Sequence, residues 1–112
     1  MDCLFCRIIA GEIPSKKIYE DEDVYAFYDI DPKAPTHFLV IPKKHITGPD
    51  AITEENCAVV GKIYAVIAKL AKELGLDHGY RVVSNCGEDG GQTVGHLHFH
   101  VLAGRLFSWP PG

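Results

Sequence analysis

Residues 96 to 101 alternate strictly between histidine and apolar side chains, reading HLHFHV. Successive side chains of a β-strand point to opposite faces, so His96, His98 and His100 are expected on one face of a sheet, about 6 to 7 Å apart. The three apolar side chains then lie on the other face. The segment predicts a strand that packs one face against a core and presents a row of imidazoles on the other.

The imidazole row is open to three interpretations. It could be a plain solvated face, although Lys, Thr or Glu would be more usual there. It could be a metal site, because neutral imidazole is a common metal ligand. It could also serve phosphorus chemistry, in which one imidazole attacks while its neighbour holds phosphoryl oxygens or protonates a leaving group.

A glycine-rich loop, GEDGGQTVG, precedes the row at residues 87 to 95. Such a loop can present main-chain N–H groups to an anion. It lacks the Gly-Lys-Ser/Thr ending of a nucleotide P-loop. By itself the loop indicates only a mobile segment, but next to a strand face made of histidines it predicts a phosphate site.

The clearest helix signal runs from Thr53 to Leu74. A Thr cap and two glutamates open it, and Gly75 closes it. Its apolar residues follow the spacing of one buried face, which is core or interface: Val59, Ile63, Val66, Ile67, Leu70 and Leu74. A short helix is predicted from Leu4 to Ala10, ending at Gly11 because Pro14 prevents its continuation.

Five runs rich in β-branched and aromatic residues predict strands. The links between the first three are short, which favours antiparallel neighbours. The order of elements predicts an α+β fold, an antiparallel sheet of about five strands with one long helix and a short N-terminal helix. The strand runs are Lys17–Tyr19, Val24–Asp29, His37–Ile41, Tyr80–Ser84 and His98–Leu102.

Length and charge exclude several classes of protein. A chain of 112 residues fits one domain, here residues 1–112, and excludes a two-domain enzyme. Eleven Lys and Arg against fifteen Asp and Glu give a net charge of −4 without a basic stripe, so neither nucleic acid nor a membrane is expected as a partner. The uncharged stretch near Ala34–Pro42 is too short to span a bilayer. No cationic and apolar leader is seen, which predicts the cytoplasm.

Two of the four cysteines form a Cys-x-x-Cys pair, Cys3 and Cys6. In a reducing compartment, such thiols serve metals or redox chemistry rather than disulfides. A redox pair usually follows a strand in a thioredoxin-like unit, and no strand is predicted before Cys3. Structural zinc, an empty reduced pair and a redox pair all stay open. Cys57 and Cys86 are expected to be packing residues, since isolated cysteines are usually buried.

The segment His96–Leu102, HLHFHVL, resembles the histidine triad motif. Nearly the whole chain is similar to the purine nucleoside phosphoramidase branch of that superfamily. The tail and the AFYDIDP sequence favour this branch over the dinucleoside polyphosphate hydrolases. The similar segments are Cys3–Ser15, Ala26–His45, Gly90–Val94 and Trp109–Gly112.

This resemblance implies a homodimer that hydrolyses adenosine 5′-phosphoramidates or related purine nucleotides, with AMP as a product. It implies that His98 is the nucleophile, forming a nucleotidyl-histidine that water then cleaves, and that His100 contacts phosphoryl oxygens. Two alternatives are a dinucleoside polyphosphate hydrolase, which the same triad could support, and a nucleotide-binding interaction module whose turnover is incidental.

The resemblance also implies the residues that bind substrate. Asp29 corresponds to the acid that binds ribose; without the resemblance it could equally be a solvated turn carboxylate. Trp109 corresponds to a tail residue near the leaving-group site of the partner subunit. Asn85 and Thr93, with the main chain of Gly91 and Gln92, correspond to the phosphate side. The apolar walls around the purine correspond to Leu4, Phe5, Ile8, Phe27 and Ile30.

By the same resemblance, His45 and His96 complete a tetrahedral zinc site with Cys3 and Cys6, one structural zinc per chain. If His96 binds the metal, it cannot be the nucleophile. His37 and His78 compete for the ligand positions, and both are otherwise expected to be ordinary surface or strand histidines.

Overall fold

The computed structural model describes residues 3–112 and contains one five-stranded antiparallel sheet in the order β1-β2-β3-β5-β4. This confirms the predicted α+β class. A single turn of 3₁₀ helix, Pro49–Ala51, precedes the long helix. The strands are β1 Lys17–Glu20, β2 Val24–Tyr28, β3 Thr36–Pro42, β4 Tyr80–Val83 and β5 Phe99–Ala103; the helices are α1 Leu4–Ile9 and α2 Ala58–Glu73.

Helix α2 covers one face of the sheet. Its buried residues follow the predicted stripe, although Leu74 at its end is 38% exposed. They pack against the apolar residues of the histidine strand and of its neighbours, as the alternation predicts. This cluster includes Ile63, Val66, Ile67 and Leu70 from α2 and Val24, Phe38, Leu97, Phe99 and Val101 from the sheet segments.

The start of α2 differs from the prediction. The helix begins at Ala58, and the predicted start at Thr53 is wrong. The Asn56 side chain accepts the Thr53 N–H at 2.7 Å and donates to the Ala51 carbonyl at 3.2 Å. A side chain that binds nearby main-chain groups in this way offers them an alternative to helix, so residues 54–57 form a turn.

Helix α1 lies over the opposite face of the sheet. Cys3 caps this helix, accepting the Cys6 N–H at 3.4 Å, and Gly11 follows its end with φ of 80°. Its Phe5 and Ile8 side chains pack on the sheet with Tyr25, Phe27, Leu39 and Ile41. The histidine face is therefore covered near its start, where His96 and His98 are 0% and 4% exposed, and is not a solvated surface.

Strand register places the site residues in one row. Phe27 of β2 pairs with Leu39 of β3, and Leu39 pairs with His100 of β5. Directly paired residues share a face of the sheet, so this row crosses three strands beneath α1. The fifth strand begins one residue later than predicted, and His98 stands just before it.

Cys57 and Cys86 are exposed, so the expectation that they are buried packing residues is wrong. Both lie in turns or loops, outside the two apolar clusters of the described residues.

Neither described helix is long and apolar enough to cross a membrane.

Candidate active site and metal cluster

His98 is buried immediately before β5. Its Nδ1 lies 2.6 Å from the main-chain oxygen of His96. A carbonyl oxygen can only accept, so Nδ1 of His98 carries a proton, and in the neutral ring the lone pair is on Nε2. The Phe5 ring packs edge-on against the imidazole, with 5.2 Å between ring centroids. The main chain and α1 therefore set both the orientation and the tautomer of His98.

His100 is paired with His37, a residue whose role the sequence did not reveal. Nε2 of His37 lies 2.9 Å from Nδ1 of His100. The Lys33 N–H donates to Nδ1 of His37 at 3.0 Å, so the proton of a neutral His37 is on Nε2. His37 therefore donates to Nδ1 of His100, and neutral His100 carries its proton on Nε2.

His37 was expected to be an ordinary surface or strand histidine. It does lie in β3, but it is only 5% exposed. The signal that could have identified it is alternation: His37 is two residues from Leu39, which pairs with His100. That signal becomes visible only once β3 and β5 are known to be neighbours.

Burial keeps the histidine pair neutral. Removal from water, together with the nearby His98 and His37, lowers the pKa of His100 to about 4, while the Asp29 carboxylate opposes the shift. Burial also lowers the pKa of His37 below its usual value, again opposed by Asp29. Both rings are therefore uncharged near neutral pH, as the hydrogen-bond order requires.

These lowered pKa values predict a loss of stability in acid. Between the folded and the unfolded pKa the unfolded chain binds more protons, so the free energy of unfolding falls as the pH drops from about 6.5 toward 4. Each group contributes at most about 1.4 kcal/mol per pH unit. Urea denaturation at pH 7, 6 and 5 measures the slope of the free energy of unfolding against pH. His100→Asn should give a shallower slope than the wild type, whereas the exposed His78→Asn should not. Equal slopes for wild type and His100→Asn would contradict the assignment.

A cavity of about 260 Å³ lies between α1 and the histidine face. Most of the predicted binding residues line it: Leu4, Phe5, Ile8, Phe27, Asp29, Ile30 and Thr93, with His98 and His100. Five lining residues were not predicted: Ile13, Pro14, Ser15, Leu39 and Val94. Leu39 carries the same strand-alternation signal as His37, whereas the others depend on how α1 and the loops fold over the sheet.

Several N–H groups of the glycine-rich loop donate to acceptors within the loop itself. The N–H groups of Gly91 and Gln92 donate to the carbonyls of Glu88 and Gly87, both at 3.0 Å. The Gln92 side chain accepts the Gly87 N–H at 3.0 Å and donates to the Thr47 carbonyl at 2.8 Å. Gly91 and Gln92 therefore stabilise the loop in this conformation, and Thr93 and Val94 are the residues of the segment that reach the cavity.

Asn85 and Trp109 also lie outside the cavity lining. Trp109 is 81% exposed in the tail. The tail is held against β4, because Arg81 donates to the Ser108 carbonyl at 3.1 Å and Phe107 lies under the guanidinium groups of Arg81 and Arg105. A single chain therefore does not bring Trp109 to its own cavity.

Four predicted metal ligands converge at the start of the histidine strand: Cys3, Cys6, His45 and His96. Nδ1 of His96 lies 3.3 Å from Sγ of Cys3 and 3.2 Å from Nδ1 of His45, and Sγ of Cys6 lies 3.3 Å from Nδ1 of His45. Ligand atoms of a tetrahedral zinc site with bonds of about 2.0 to 2.3 Å are separated by about 3.3 to 3.8 Å, so the spacing fits.

The hydrogen bond and the burial of His96 also suit a metal ligand. Its Nε2 donates to the Pro42 carbonyl at 2.8 Å, which leaves Nδ1 unprotonated and facing the thiols. Burial also lowers the pKa of His96, which keeps the ring neutral. The cluster could therefore hold a metal ion. His37 and His78, the competing candidates, are not part of it.

A second group, Asp29, His37 and His100, also has its donor atoms within 4.8 Å of one another. Its hydrogen bonds do not suit a metal. Nδ1 of His37 accepts the Lys33 N–H, so a metal on Nε2 would require the ring to lose both protons. This group is better described as a hydrogen-bonded histidine pair beside a carboxylate.

Comparison with known proteins matches almost the whole chain. The sequence model of the HIT domain matches residues 10–106. A Zea mays protein named 14 kDa zinc-binding protein is 49% identical over 111 residues, covering 97% of this chain and 87% of the relative. A solved histidine triad protein from Clostridium difficile has 53% identity and a TM-score of 0.93, covering 96% of this chain and 95% of that one. A HIT family hydrolase from Legionella pneumophila has 46% identity and a TM-score of 0.96, covering 99% and 100%.

Proposed function

The chain belongs to the HIT domain family, and on that premise we propose that it is a nucleotide hydrolase that cleaves the P–N bond of adenosine 5′-phosphoramidates or related purine nucleotide conjugates. The observation that carries the proposal is the tautomer of His98. Its Nδ1–H is held by the His96 carbonyl, so Nε2 is free to attack. A nucleophilic imidazole must be neutral with one nitrogen unprotonated, and this hydrogen bond selects the neutral tautomer in which that nitrogen is Nε2.

The proposed reaction has two steps. The Nε2 lone pair of His98 forms a bond to phosphorus, and the electron pair of the scissile P–N bond leaves with the amine, which takes up one proton from the solvent. The ring of His98 becomes more positive, and the His96 carbonyl, 2.6 Å from Nδ1, stabilises that charge. Water then attacks phosphorus and gives up one proton to the solvent, the electron pair of the bond to His98 returns to Nε2, and AMP is released.

His100 is proposed to stabilise the phosphoryl oxygens. Since His37 donates to its Nδ1, His100 carries a proton on Nε2 that can be donated to an oxygen gaining negative charge. A donor fixed before the reaction costs no reorganisation when the charge develops. Thr93, at the cavity wall, is a second donor of the right kind.

The rest of the cavity suits a nucleoside. Its apolar walls, which include Phe5, Ile8 and Phe27, suit a purine ring, and the carboxylate of Asp29 at its rim can accept from two ribose hydroxyls. The side chain of Asp29 is 19% exposed, so a sugar can reach it. We assign the base to the α1 side of the cavity and the phosphate to the histidine side.

We further propose that the metal cluster binds one structural zinc per chain. The set of two thiols and two imidazoles suits this ion, and the maize relative is named as a zinc-binding protein. When bound, zinc would supply a closed structural cross-link here. Cys3 and Cys6 belong to the start of α1 and His96 to the start of the histidine strand, so these ligands tie α1 to the segment that carries His98.

A substrate panel tests the proposed function. The specificity constant, kcat/KM, of the purified protein is measured for adenosine 5′-phosphoramidates with amine leaving groups and for diadenosine polyphosphates. We expect the phosphoramidates to have the larger constants. The reverse order would favour the polyphosphate hydrolase alternative. Binding of AMP without turnover of any member would favour a binding module and overturn the proposal.

We also propose a homodimer in the cytoplasm. Within residues 3–112, β4 pairs only with β5, which leaves its other edge open to a second copy. Tyr80 on β4 is 41% exposed, and Trp109 in the tail needs a partner chain to meet a cavity. Four free cysteines suit a reducing compartment. Sedimentation equilibrium should give twice the mass of one chain; a monomer at micromolar concentration would contradict the dimer.

A further inference from the structure

The two oxygens of the Asp29 carboxylate face different parts of the molecule. Oδ1 accepts the Asp31 N–H at 2.8 Å and so stabilises the turn after β2. Oδ2 lies 3.5 Å from Nε2 of His37 and 4.0 Å from Nδ1 of His100. The ribose role proposed above accounts for neither of these last two contacts.

The main chain places this carboxylate beside the pair. The Asp29 N–H donates to the His37 carbonyl at 3.1 Å, so the end of β2 is joined to β3 at the residue that the carboxylate approaches. Both side chains are largely removed from water, with exposed fractions of 19% for Asp29 and 4% for His37. Solvent therefore screens the charge only weakly, and its effect on the two rings is strong.

The tautomers of His37 and His100 together decide what His100 can do. With the proton on Nε2 of His37, His100 accepts at Nδ1 and donates from Nε2. In the alternative arrangement both neutral rings change tautomer: the proton of His37 moves to Nδ1, where it meets the Lys33 N–H, and the proton of His100 moves to Nδ1. Nε2 of His100 would then carry a lone pair, which repels a phosphoryl oxygen. The Lys33 N–H already favours the proton on Nε2 of His37. The carboxylate adds to this preference, because it lies closer to Nε2 of His37 than to Nδ1 of His100 and its negative charge favours the proton at the nearer nitrogen.

We propose that Asp29 is a positioning residue for the reaction as well as a ribose ligand: its charge, together with the Lys33 N–H, keeps the proton on Nε2 of His37 and so keeps His100 a donor. The expected effect on kcat rests on the proposed function, whereas the expected effect on the tautomers does not. The two roles of Asp29 are separable, because only one of them needs ribose hydroxyls on the substrate.

The test uses two substrates with the same amine leaving group, adenosine 5′-phosphoramidate and its 2′,3′-dideoxy analogue. The variant is Asp29→Asn, which keeps an oxygen for the Asp31 N–H but removes the charge. The matched control is Asp31→Asn, a neighbouring carboxylate with a side chain 81% exposed and paired with Lys33. We expect Asp29→Asn to lower kcat about tenfold for both substrates and Asp31→Asn to leave it within twofold.

A role limited to ribose gives a different result. Asp29→Asn would then raise KM for the ribonucleotide and leave kcat for the dideoxy substrate within twofold of the wild type, which would overturn the proposal. Asp29→Glu keeps the charge and should recover part of kcat. It also serves as the second variant if Asp29→Asn unfolds, and a kcat for Asp29→Glu no better than that of Asp29→Ala would equally overturn it.

A second measurement does not depend on turnover. Nitrogen-15 chemical shifts of the imidazoles distinguish protonated from unprotonated ring nitrogens. In the folded wild-type protein, Nε2 of His100 should be protonated and Nδ1 should not, whereas Asp29→Asn should show a mixture. If neither substrate reacts with the wild type, the proposed function fails, and the shifts still decide whether Asp29 orders the pair. Identical shifts in both proteins would overturn the proposal.

Discussion

Replacing His98 by alanine is expected to reduce kcat for an adenosine phosphoramidate by at least about 10³-fold, as for other residues that form a covalent intermediate. No other group takes over the attack, because His96 belongs to the metal cluster and His100 has its Nδ1 occupied by His37. A substrate with a fluorogenic amine leaving group allows the kcat of both proteins to be measured over several orders of magnitude.

The control is His78→Ala, which makes the same change at an exposed histidine outside the cavity lining. It should keep wild-type activity. Rapid denaturation of the wild type during turnover should also recover a labelled adenylyl group on the chain, and the His98→Ala protein should carry none. Turnover by His98→Ala within tenfold of the wild type would exclude His98 as the nucleophile.

Loss of the metal is expected to have the largest effect on stability. The purified protein, kept reduced, should contain about one zinc per chain. At a free zinc concentration a thousandfold above the dissociation constant, binding adds about 4 kcal/mol to the free energy of unfolding. For a domain of this size, that corresponds to a fall in Tm of roughly 20 °C on removal of zinc.

Cys6→Ser should lose the zinc and show this fall in Tm. Cys57→Ser is the matched control, because Cys57 is exposed and lies outside the cluster. Elemental analysis and thermal denaturation, with and without a chelator, measure both effects. A metal-free wild-type protein with undiminished stability would contradict a structural role for the cluster.

Secondary structure was predictable where the pattern is local. The alternation at residues 96 to 101 identified the histidine strand, and the apolar spacing from Val59 to Leu70 identified the buried face of α2. The start of that helix was not predictable, because the Asn56 side chain competes for the main-chain groups around Thr53 and Ala51. Burial of Cys57 and Cys86 was also predicted wrongly, since residue type gives only an average tendency.

Much of the candidate site followed from the resemblance, but its hydrogen bonds did not. Seven of the predicted binding residues line the cavity, whereas Asn85, Gly91, Gln92 and Trp109 do not. The role of His37 was missed, because it depends on the pairing of β3 with β5, two strands separated by almost sixty residues of chain.

The sequence by itself determined that a strand of an antiparallel sheet carries a row of imidazoles and that Cys3 and Cys6 form a closely spaced pair. Period-two alternation and residue spacing are local properties, and they need no knowledge of distant contacts. Only the tertiary structure decided which nitrogen of each ring carries a proton. That depends on partners far apart in the chain, the Lys33 N–H and the Pro42 carbonyl among them, and a hydrogen bond exists only where folding brings donor and acceptor within reach.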